Sequence, residues 1–158
     1  MATAYFAALG RRDVDGMMEL WEPGCYGQIY GMAALRAPEG YRQWFGEMLF
    51  KAFPDWQLEV LDMVAYGEKA AVRWTATGTF TGPVRFEGLD ANGTRIEIEG
   101  LDLLTIRDGL IRESRAYTNA TEIARQLGAM PPAGSVGERA MLGAVNTMTK
   151  ARGLLQRR

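Results

Sequence analysis

Asp102 is the residue of this sequence whose type and surroundings best suit proton transfer. It stands inside an apolar run, GLDLLTI, between two leucines. Alternate side chains of a strand share a face, and the neighbours of Asp102 on its face are small or apolar: Ile98, Gly100, Leu104 and Ile106. In an apolar pocket, desolvation would raise the pKa of Asp102 toward neutrality, as a general acid or base requires. An ion pair with Arg73, or a hydrogen bond to a neighbouring amide, is the structural alternative.

Arg73 is the second candidate for chemistry because its charge is permanent. Arg73 shares a face of segment 70–80 with Thr75, Thr77 and Thr79, and Thr75 would line the pocket beside it. Pointing inward, Arg73 would stabilise an enolate, a phenolate or a carboxylate of a substrate. A salt bridge to Asp102 is the alternative, and the two roles are compatible because a nearby arginine lowers the pKa of a carboxyl group.

Other residues could bind a substrate around this pair. Tyr26, Gln28 and Tyr30 could hydrogen-bond a substrate oxygen, although packing of a loop explains them equally well. Ser114 and Ala116 are predicted to line the pocket floor. The apolar wall would come from a helical stripe and the residues after it: Trp44, Phe45, Met48, Phe53 and Trp56. A stripe at helical spacing is more often ordinary core.

The composition excludes several classes of function. The 158 residues contain no histidine and one cysteine, Cys25, so a structural zinc site is excluded and no internal disulfide can form. We predict no metal and no cofactor, so catalysis would use carboxylate, tyrosine, lysine, arginine, hydroxyl or amide groups. The formal net charge is -1 with scattered basic residues, and nucleic acid and membrane surfaces are therefore not expected partners. Without an apolar stretch of about 20 residues or a signal peptide, the expected location is cytoplasmic.

Hydrophobic periodicity predicts helices first and strands after them. Helices are expected at 2–9, from the cap Asp13 to Pro23, at 38–53, after the cap Asn119, and at 136–155, with a loop over 22–37. Strands are expected at 57–65, 70–80, 94–106 and 110–117, joined by short turns into an antiparallel meander. The predicted class is α+β, with one domain over 1–130. Residues 131–158 are predicted to be a linker and a helix, not an independent domain.

The order of these elements, together with three motifs, resembles the SnoaL-like family of polyketide cyclases, which has the nuclear transport factor 2-like fold. The motifs are GLDLLTIRDG (100–109), LIRESR (110–115) and YTNATEIARQLG (117–128). The resemblance implies a curved antiparallel sheet wrapped around N-terminal helices, forming a cone with an internal pocket. Because this fold hosts cyclases, isomerases, hydrolases, lyases and non-enzymes, the function has to be argued from the site.

The resemblance also assigns single positions. The histidine that SnoaL-like cyclases carry before the turn falls on Asp102 in this sequence. Their principal acid–base aspartate, which follows an arginine matched by Arg115, falls on Ala116. A methyl group cannot move protons, so the usual cyclase mechanism does not transfer unchanged.

A similarity to limonene epoxide hydrolase is weaker. Its arginine and aspartate on a central strand correspond to Arg73 and Thr75, and its Tyr-x-Asn motif resembles Tyr26-Gly27-Gln28. The second aspartate of that hydrolase again falls on Ala116. Both carboxylates of the hydrolase mechanism are therefore missing here. An epoxide hydrolase would need a second pocket carboxylate, and only Asp62 or Glu59 on the first predicted strand could supply it.

Two functions from different classes therefore compete. The first is a cofactor-independent enzyme (cyclase, isomerase or lyase) that uses a pocket carboxylate on a small apolar, aromatic or polyketide-like molecule. The second is a non-catalytic domain that binds such a ligand or assists a partner enzyme. Relatives of this fold pair through the outer face of the sheet, where Val72, Trp74 and Ala76 are predicted to form an apolar patch. We therefore expect a homodimer or a larger homo-oligomer, in which the helix at 136–155 could also take part.

Overall fold

The computed structural model describes residues 1–155 and begins with two short helices. α1 (Ala2–Gly10) matches the prediction, and α2 (Val14–Met18) starts at the predicted cap, where the Asp13 side chain accepts a hydrogen bond from the Gly16 amide at 2.9 Å. The predicted continuation of this helix to Pro23 is wrong. The chain becomes extended at Trp21, which is buried as the first residue of a strand.

The segment predicted as a loop over 22–37 contains two strands. β1 (Trp21–Ile29) runs parallel to the last strand of the sheet, and β2 (Ala33–Arg36) pairs antiparallel with β1. Gly24 has a φ of 85°, and the pairing of β1 shifts before Tyr26. These irregularities remove the regular alternation by which a strand is recognised in a sequence.

One helical stretch follows, and its middle is wound more widely than an α-helix. α3 (Glu39–Tyr41) continues into a π-helical segment, Arg42–Leu49, and then into α4 (Phe50–Ala52). The prediction of a helix over 38–53 is confirmed in position but not in winding. The buried row of this stretch consists of Tyr41, Phe45, Leu49 and Ala52. Because each turn contains more residues, Trp44 and Met48 of the predicted stripe are only half-buried.

Four long strands form the predicted antiparallel meander: β3 (Gln57–Tyr66), β4 (Lys69–Thr79), β5 (Arg95–Arg107) and β6 (Leu110–Thr118). With β1 and β2 they make a six-stranded sheet in the order β2-β1-β6-β5-β4-β3, which is curved and does not close. Asp108 and Gly109, with φ of 53° and 75°, form the predicted tight turn before β6. One apolar core lies between the sheet and the helices. The α+β class is confirmed.

The two faces of β4 are the reverse of the prediction. Val72, Trp74 and Ala76 are buried against the helices, whereas Arg73 is exposed on the outer face. The predicted outer patch of three apolar residues is therefore wrong. The reason is that the apolar side chains of β4 bury more nonpolar area when they face the core.

Two helices complete the described chain, and both were predicted. α5 (Ala120–Gln126) starts at Asn119, whose side chain accepts a hydrogen bond from the Glu122 amide at 3.0 Å. α6 (Val136–Leu155) is 20 residues long and mostly exposed. It nevertheless lacks the apolar character of a membrane-crossing segment, as do the other helices within residues 1–155. The predicted homo-oligomer stays a prediction, with α6 as its remaining candidate contact.

A glycine of β1 gives the first test of this packing. Gly27 pairs with Ser114 of β6, and a Cβ atom at position 27 would collide with the Tyr41 hydroxyl. We expect Gly27→Ala to lower the free energy of unfolding by about 1–3 kcal/mol, because the tightly packed phenol has to move. Urea denaturation measures this loss. In a Tyr41→Phe background, which removes the colliding oxygen, the same substitution should cost clearly less; an equal cost in both backgrounds would contradict the packing described.

Candidate active site

A cavity lies between the helices and the sheet, and its wall is almost entirely apolar. The helical side and the loop before β5 supply aromatic rings, and the strands supply the floor. The apolar lining includes Leu9, Trp44, Phe45, Trp56, Phe86 and Ile123. An apolar wall with a few polar groups is typical of a site for a small molecule.

Asp102 is the only charged side chain among the described residues of this wall, and it is 6% exposed. The Trp74 indole Nε1 donates a hydrogen bond to Asp102 Oδ1 at 2.9 Å, and the Ser114 hydroxyl donates a longer one to Oδ2 at 3.4 Å. Each carboxyl oxygen therefore has one neutral donor. An oxygen of a carboxylate can accept more than one hydrogen bond, so capacity remains for a substrate.

Burial sets the protonation of this group. The pKa of Asp102 is raised to about 6, because the ionised form loses its solvation among apolar side chains. The hydrogen bonds from Trp74 and Ser114 act in the opposite direction, since both stabilise the carboxylate. Near neutral pH, both protonation states are accessible, which is the condition for accepting and returning a proton.

Two buried phenols on the helices, Tyr5 and Tyr41, line the same cavity as the carboxyl group. Burial is the main cause that raises the pKa of Tyr5 and of Tyr41 well above the usual range for tyrosine, and the charge of Asp102 raises them further. The Tyr41 hydroxyl lies beside Ser114. Both phenols stay protonated at neutral pH, so they can donate hydrogen bonds but cannot serve as bases.

The structure brings six of the predicted substrate-binding residues to the cavity wall: Gln28, Trp44, Phe45, Trp56, Ser114 and Ala116. The Gln28 amide nitrogen donates to the carbonyl oxygen of Ala33 at 3.0 Å and lies 3.3 Å from that of Ile29. These contacts tie the end of β1 to the start of β2. They also fix the orientation of the amide at the edge of the cavity.

Arg73 lies outside the cavity. Its guanidinium donates from Nη1 to Glu99 Oε1 at 3.0 Å, and the two side chains are 54% and 58% exposed. The prediction that Arg73 points inward is therefore wrong, and so is the prediction of Asp102 as its partner. The cause is the orientation of β4, which turns position 73 to solvent and position 74 to the core.

Two predicted tyrosines also lie outside. Tyr26 is 58% exposed, and the guanidinium of Arg36 lies 5.6 Å from the centre of its ring. Tyr30 is 40% exposed and stacks on Tyr117 with the ring centres 4.6 Å apart. Both tyrosines therefore fit the alternative given by the sequence, in which they pack against other side chains of the protein and do not bind a substrate.

Thr75, Met48 and Phe53 complete the predicted set, and none of them lines the cavity. Thr75 is on the outer side of β4, where its hydroxyl donates to the carbonyl oxygen of Ile98 at 3.1 Å. Met48 borders a separate surface groove, because the wide winding of its helix turns it away from the buried row. Phe53 is fully buried in the core.

Three residues of the site escaped the sequence reasoning: Tyr5, Tyr41 and Trp74. Trp74 could have been found by assigning the apolar side of β4 to the core, since it alternates with Val72 and Ala76. Tyr5 and Tyr41 are buried polar rings on helices. Their sequence pattern is that of ordinary core residues, and only the structure shows that they line the cavity with Asp102.

Ala116 lies directly opposite Asp102 in the pairing of β5 with β6. Paired positions have Cβ atoms about 4.5–5.5 Å apart. A side chain at position 102 therefore reaches nearly the same part of the cavity as one at position 116. The small Ala116 leaves space beside the carboxyl group.

Comparisons with known proteins agree with this architecture. AclR from Streptomyces galilaeus, a proposed hydroxylase, is 26% identical, with a TM-score of 0.70 over 82% of this chain and 94% of AclR. TsrD from Streptomyces laurentii is 28% identical, with a TM-score of 0.66 over 79% of this chain and 90% of TsrD. IdmH from Streptomyces antibioticus, a proposed polyketide cyclase, is 25% identical, with a TM-score of 0.65 over 80% and 95% of the two chains.

No curated protein sequence matches the chain significantly. The sequence profile of one protein family, described as SnoaL-like polyketide cyclase, does match, and it covers residues 1–127. This match includes helices α1 to α5, the whole sheet and every cavity residue named above, whereas α6 lies beyond it. The chain belongs to the SnoaL-like polyketide cyclase family and has its nuclear transport factor 2-like fold.

Proposed function

We propose that this protein is a cofactor-independent enzyme in which Asp102 transfers protons on a small apolar, aromatic or polyketide-like substrate. The observation that carries the proposal is a single buried carboxyl group, with a pKa of about 6, at the floor of an apolar cavity. Cyclase, isomerase and lyase reactions share this proton transfer. Membership of a cyclase family favours ring closure among them.

The proposed reaction uses both protonation states of Asp102. Its ionised form takes a proton from a carbon next to a carbonyl group, and the electron pair of the C–H bond moves into an enolate. In ring closure, the enolate carbon attacks a second carbonyl carbon of the same molecule. The resulting alkoxide takes the proton back from the Asp102 carboxyl group, so the enzyme returns to its starting state without a co-reactant.

The developing negative charge meets neutral donors. The described residues along the cavity wall include no arginine or lysine, so hydrogen bonds have to stabilise an enolate oxygen. The Tyr5 and Tyr41 phenols stay protonated beside Asp102 and are the donors closest to this role. They take the part that the sequence had assigned to Arg73.

The wall favours a flat aromatic substrate. Trp44 and Phe45 meet edge to face with ring centres 4.7 Å apart, and Phe45 stacks on Tyr41 at 5.7 Å. Aromatic rings of a ligand gain energy from the same offset and edge-to-face arrangements. A hydrophilic substrate would lose its hydration here without replacement.

The second candidate is a non-catalytic ligand-binding domain, which is favoured by Ala116 at the place of the family's principal aspartate. The pairing of position 116 with position 102 is the argument against it, because Asp102 brings a carboxyl group to the adjacent strand. Epoxide hydrolysis loses its support: Asp62 and Glu59 are both exposed on β3 and do not line the cavity.

Deuterium exchange tests proton transfer without knowledge of the natural substrate. The purified protein is incubated with β-tetralone, a small aromatic ketone, in deuterium oxide, and NMR follows exchange at the carbons beside the carbonyl group. We expect catalysed exchange that increases as Asp102 ionises around pH 6. Asp102→Asn should reduce the rate by roughly 10²–10⁴-fold, whereas Glu59→Gln, on the exposed side of β3, should leave it unchanged. Binding of β-tetralone with equal exchange by the wild type and Asp102→Asn would favour the ligand-binding domain.

Asp102→Asn should also stabilise the protein, in a way that depends on pH. The pKa of Asp102 is near 3.8 in the unfolded chain and about 6 in the folded one. The free energy of unfolding therefore falls as the pH rises between these values. The difference of about two pH units corresponds to about 3 kcal/mol at full ionisation. The asparagine variant should therefore be more stable than the wild type at about pH 8, by up to this amount, with no such gain at about pH 4.

Urea denaturation at the two pH values measures both effects, and Glu59→Gln again serves as the control with an exposed acid. A variant that is less stable than the wild type at the higher pH would show that the carboxylate is a structural group. That result would contradict the claim that burial of the ionised Asp102 carboxyl group destabilises the folded protein.

A further inference from the structure

We propose that Trp74 is a positioning residue of this site: its indole N–H holds the Asp102 carboxyl group, and Gly100 provides the space that the indole ring needs. This inference rests on the proposed function, which assigns proton transfer to Asp102. The hydrogen bond and the space beside it are properties of the folded protein and can be tested without a substrate.

The hydrogen bond is the stronger of the two that Asp102 accepts. Trp74 Nε1 lies 2.9 Å from Oδ1, a normal length for an N–H donor, whereas Ser114 Oγ lies 3.4 Å from Oδ2. Trp74 is 8% exposed and Asp102 is 6% exposed, so the contact is largely shielded from bulk solvent. A buried hydrogen bond to a charged group contributes more than a neutral one, because the surroundings screen it weakly.

Strand register explains how the indole reaches the carboxyl group. In the pairing of β4 with β5, Trp74 lies opposite Gly100, and Asp102 lies opposite Val72. Asp102 and Gly100 share the inner face of β5. The indole ring therefore has to cross over position 100 to bring its N–H to the carboxyl group at position 102.

Only glycine leaves room for this crossing. A Cβ atom at position 100 would overlap three ring atoms of Trp74 (Cζ2, Cε2 and Cη2). Gly100 is not among the glycines with positive φ, so its backbone conformation suits any residue. The absence of a side chain, and not backbone freedom, is what this position requires.

The electrostatic consequence follows from the neighbours of Asp102. Among the described residues, the titratable side chains that line the cavity together with Asp102 are the phenols of Tyr5 on α1 and of Tyr41 at the end of α3, and both remain neutral. Burial raises the pKa of Asp102, and only Trp74 and Ser114 oppose it. Loss of the indole N–H leaves the carboxylate with the longer of its two hydrogen bonds, so the pKa should rise further.

A second tryptophan provides the matched control. Trp56 lines the same cavity and is 7% exposed, but its indole N–H makes no hydrogen bond within the described part of the chain. Trp56→Phe and Trp74→Phe are the same chemical change in the same cavity. Only one of them removes a donor from Asp102.

NMR titration of the aspartate carboxyl carbons in the 158-residue chain tests the hydrogen bond. The Asp102 signal is assigned by its loss in Asp102→Asn. We expect Trp74→Phe to raise the pKa of Asp102 by about one pH unit, and Trp56→Phe to leave it unchanged. An unchanged titration in folded Trp74→Phe would overturn the proposal, as would an equal rise in both variants, because the rise would then follow from lost packing.

The space at position 100 has its own test. Gly100→Ala should reproduce the rise in the pKa of Asp102, because the ring has to move. If Gly100→Ala does not fold, the double variant Trp74→Phe/Gly100→Ala decides, since a phenyl ring lacks the outer atoms with which the new methyl group collides. A double variant about as stable as Trp74→Phe supports the proposal. A double variant that loses as much stability as the glycine substitution alone would show that Gly100 serves another purpose.

The two proposals fail separately. The rise in the pKa of Asp102 in Trp74→Phe can occur in a protein that exchanges no deuterium into β-tetralone, and it would then support Trp74 as a positioning residue and reject the enzymatic function. Where exchange does occur, its dependence on pH should move upward in Trp74→Phe together with the NMR titration. Exchange that keeps the wild-type pH dependence while the titration moves would overturn the positioning role of Trp74.

Discussion

The Asp102 carboxyl group is removed from water and held by two neutral donors, and no cationic side chain of the described cavity wall compensates its charge. A buried carboxylate without a cationic partner costs stability, so this group is unfavourable for the fold at neutral pH. The same cost makes the group useful. Because ionisation is disfavoured, the proton is gained and lost near neutral pH, where a solvated aspartate would stay ionised.

The sheet organises the cavity around this group through its register. β5 carries Asp102, and the strands on either side contribute one donor each: Trp74 from β4 and Ser114 from β6. Two glycines without positive φ leave the room that the neighbouring rings occupy, Gly100 for Trp74 and Gly27 for Tyr41.

Much of the fold could be predicted from the sequence, because the long strands, their turns and most helix ends have local signals. The capping side chains Asp13 and Asn119 marked helix starts correctly. β1 was missed because Gly24 and a shift in pairing disturb its alternation, and because its partner, β6, lies about 90 residues later in the sequence. Pairing over such a separation leaves no local pattern.

The site was predictable only in part. Asp102 stands out because an acid among leucines is unusual, and its face could be derived from alternation. The orientation of β4 was taken from Arg73 as a candidate for chemistry, when the apolar residues Val72, Trp74 and Ala76 should have decided it. A strand buries the face with the larger nonpolar area, and a charged residue on that strand then faces solvent.

The exposed position of Arg73 changes the chemistry that the cavity can perform. An arginine beside Asp102 would hold the carboxyl group ionised and would serve as an electrostatic clamp for an anionic substrate. With Arg73 paired to Glu99 on the outer face, the pKa of Asp102 is set by burial and by hydrogen bonds alone. In the proposed reaction, the cavity would therefore suit a neutral substrate that becomes anionic as it reacts. Such a substrate would enter the apolar cavity without a charge to desolvate, and its developing charge would meet the protonated phenols of Tyr5 and Tyr41.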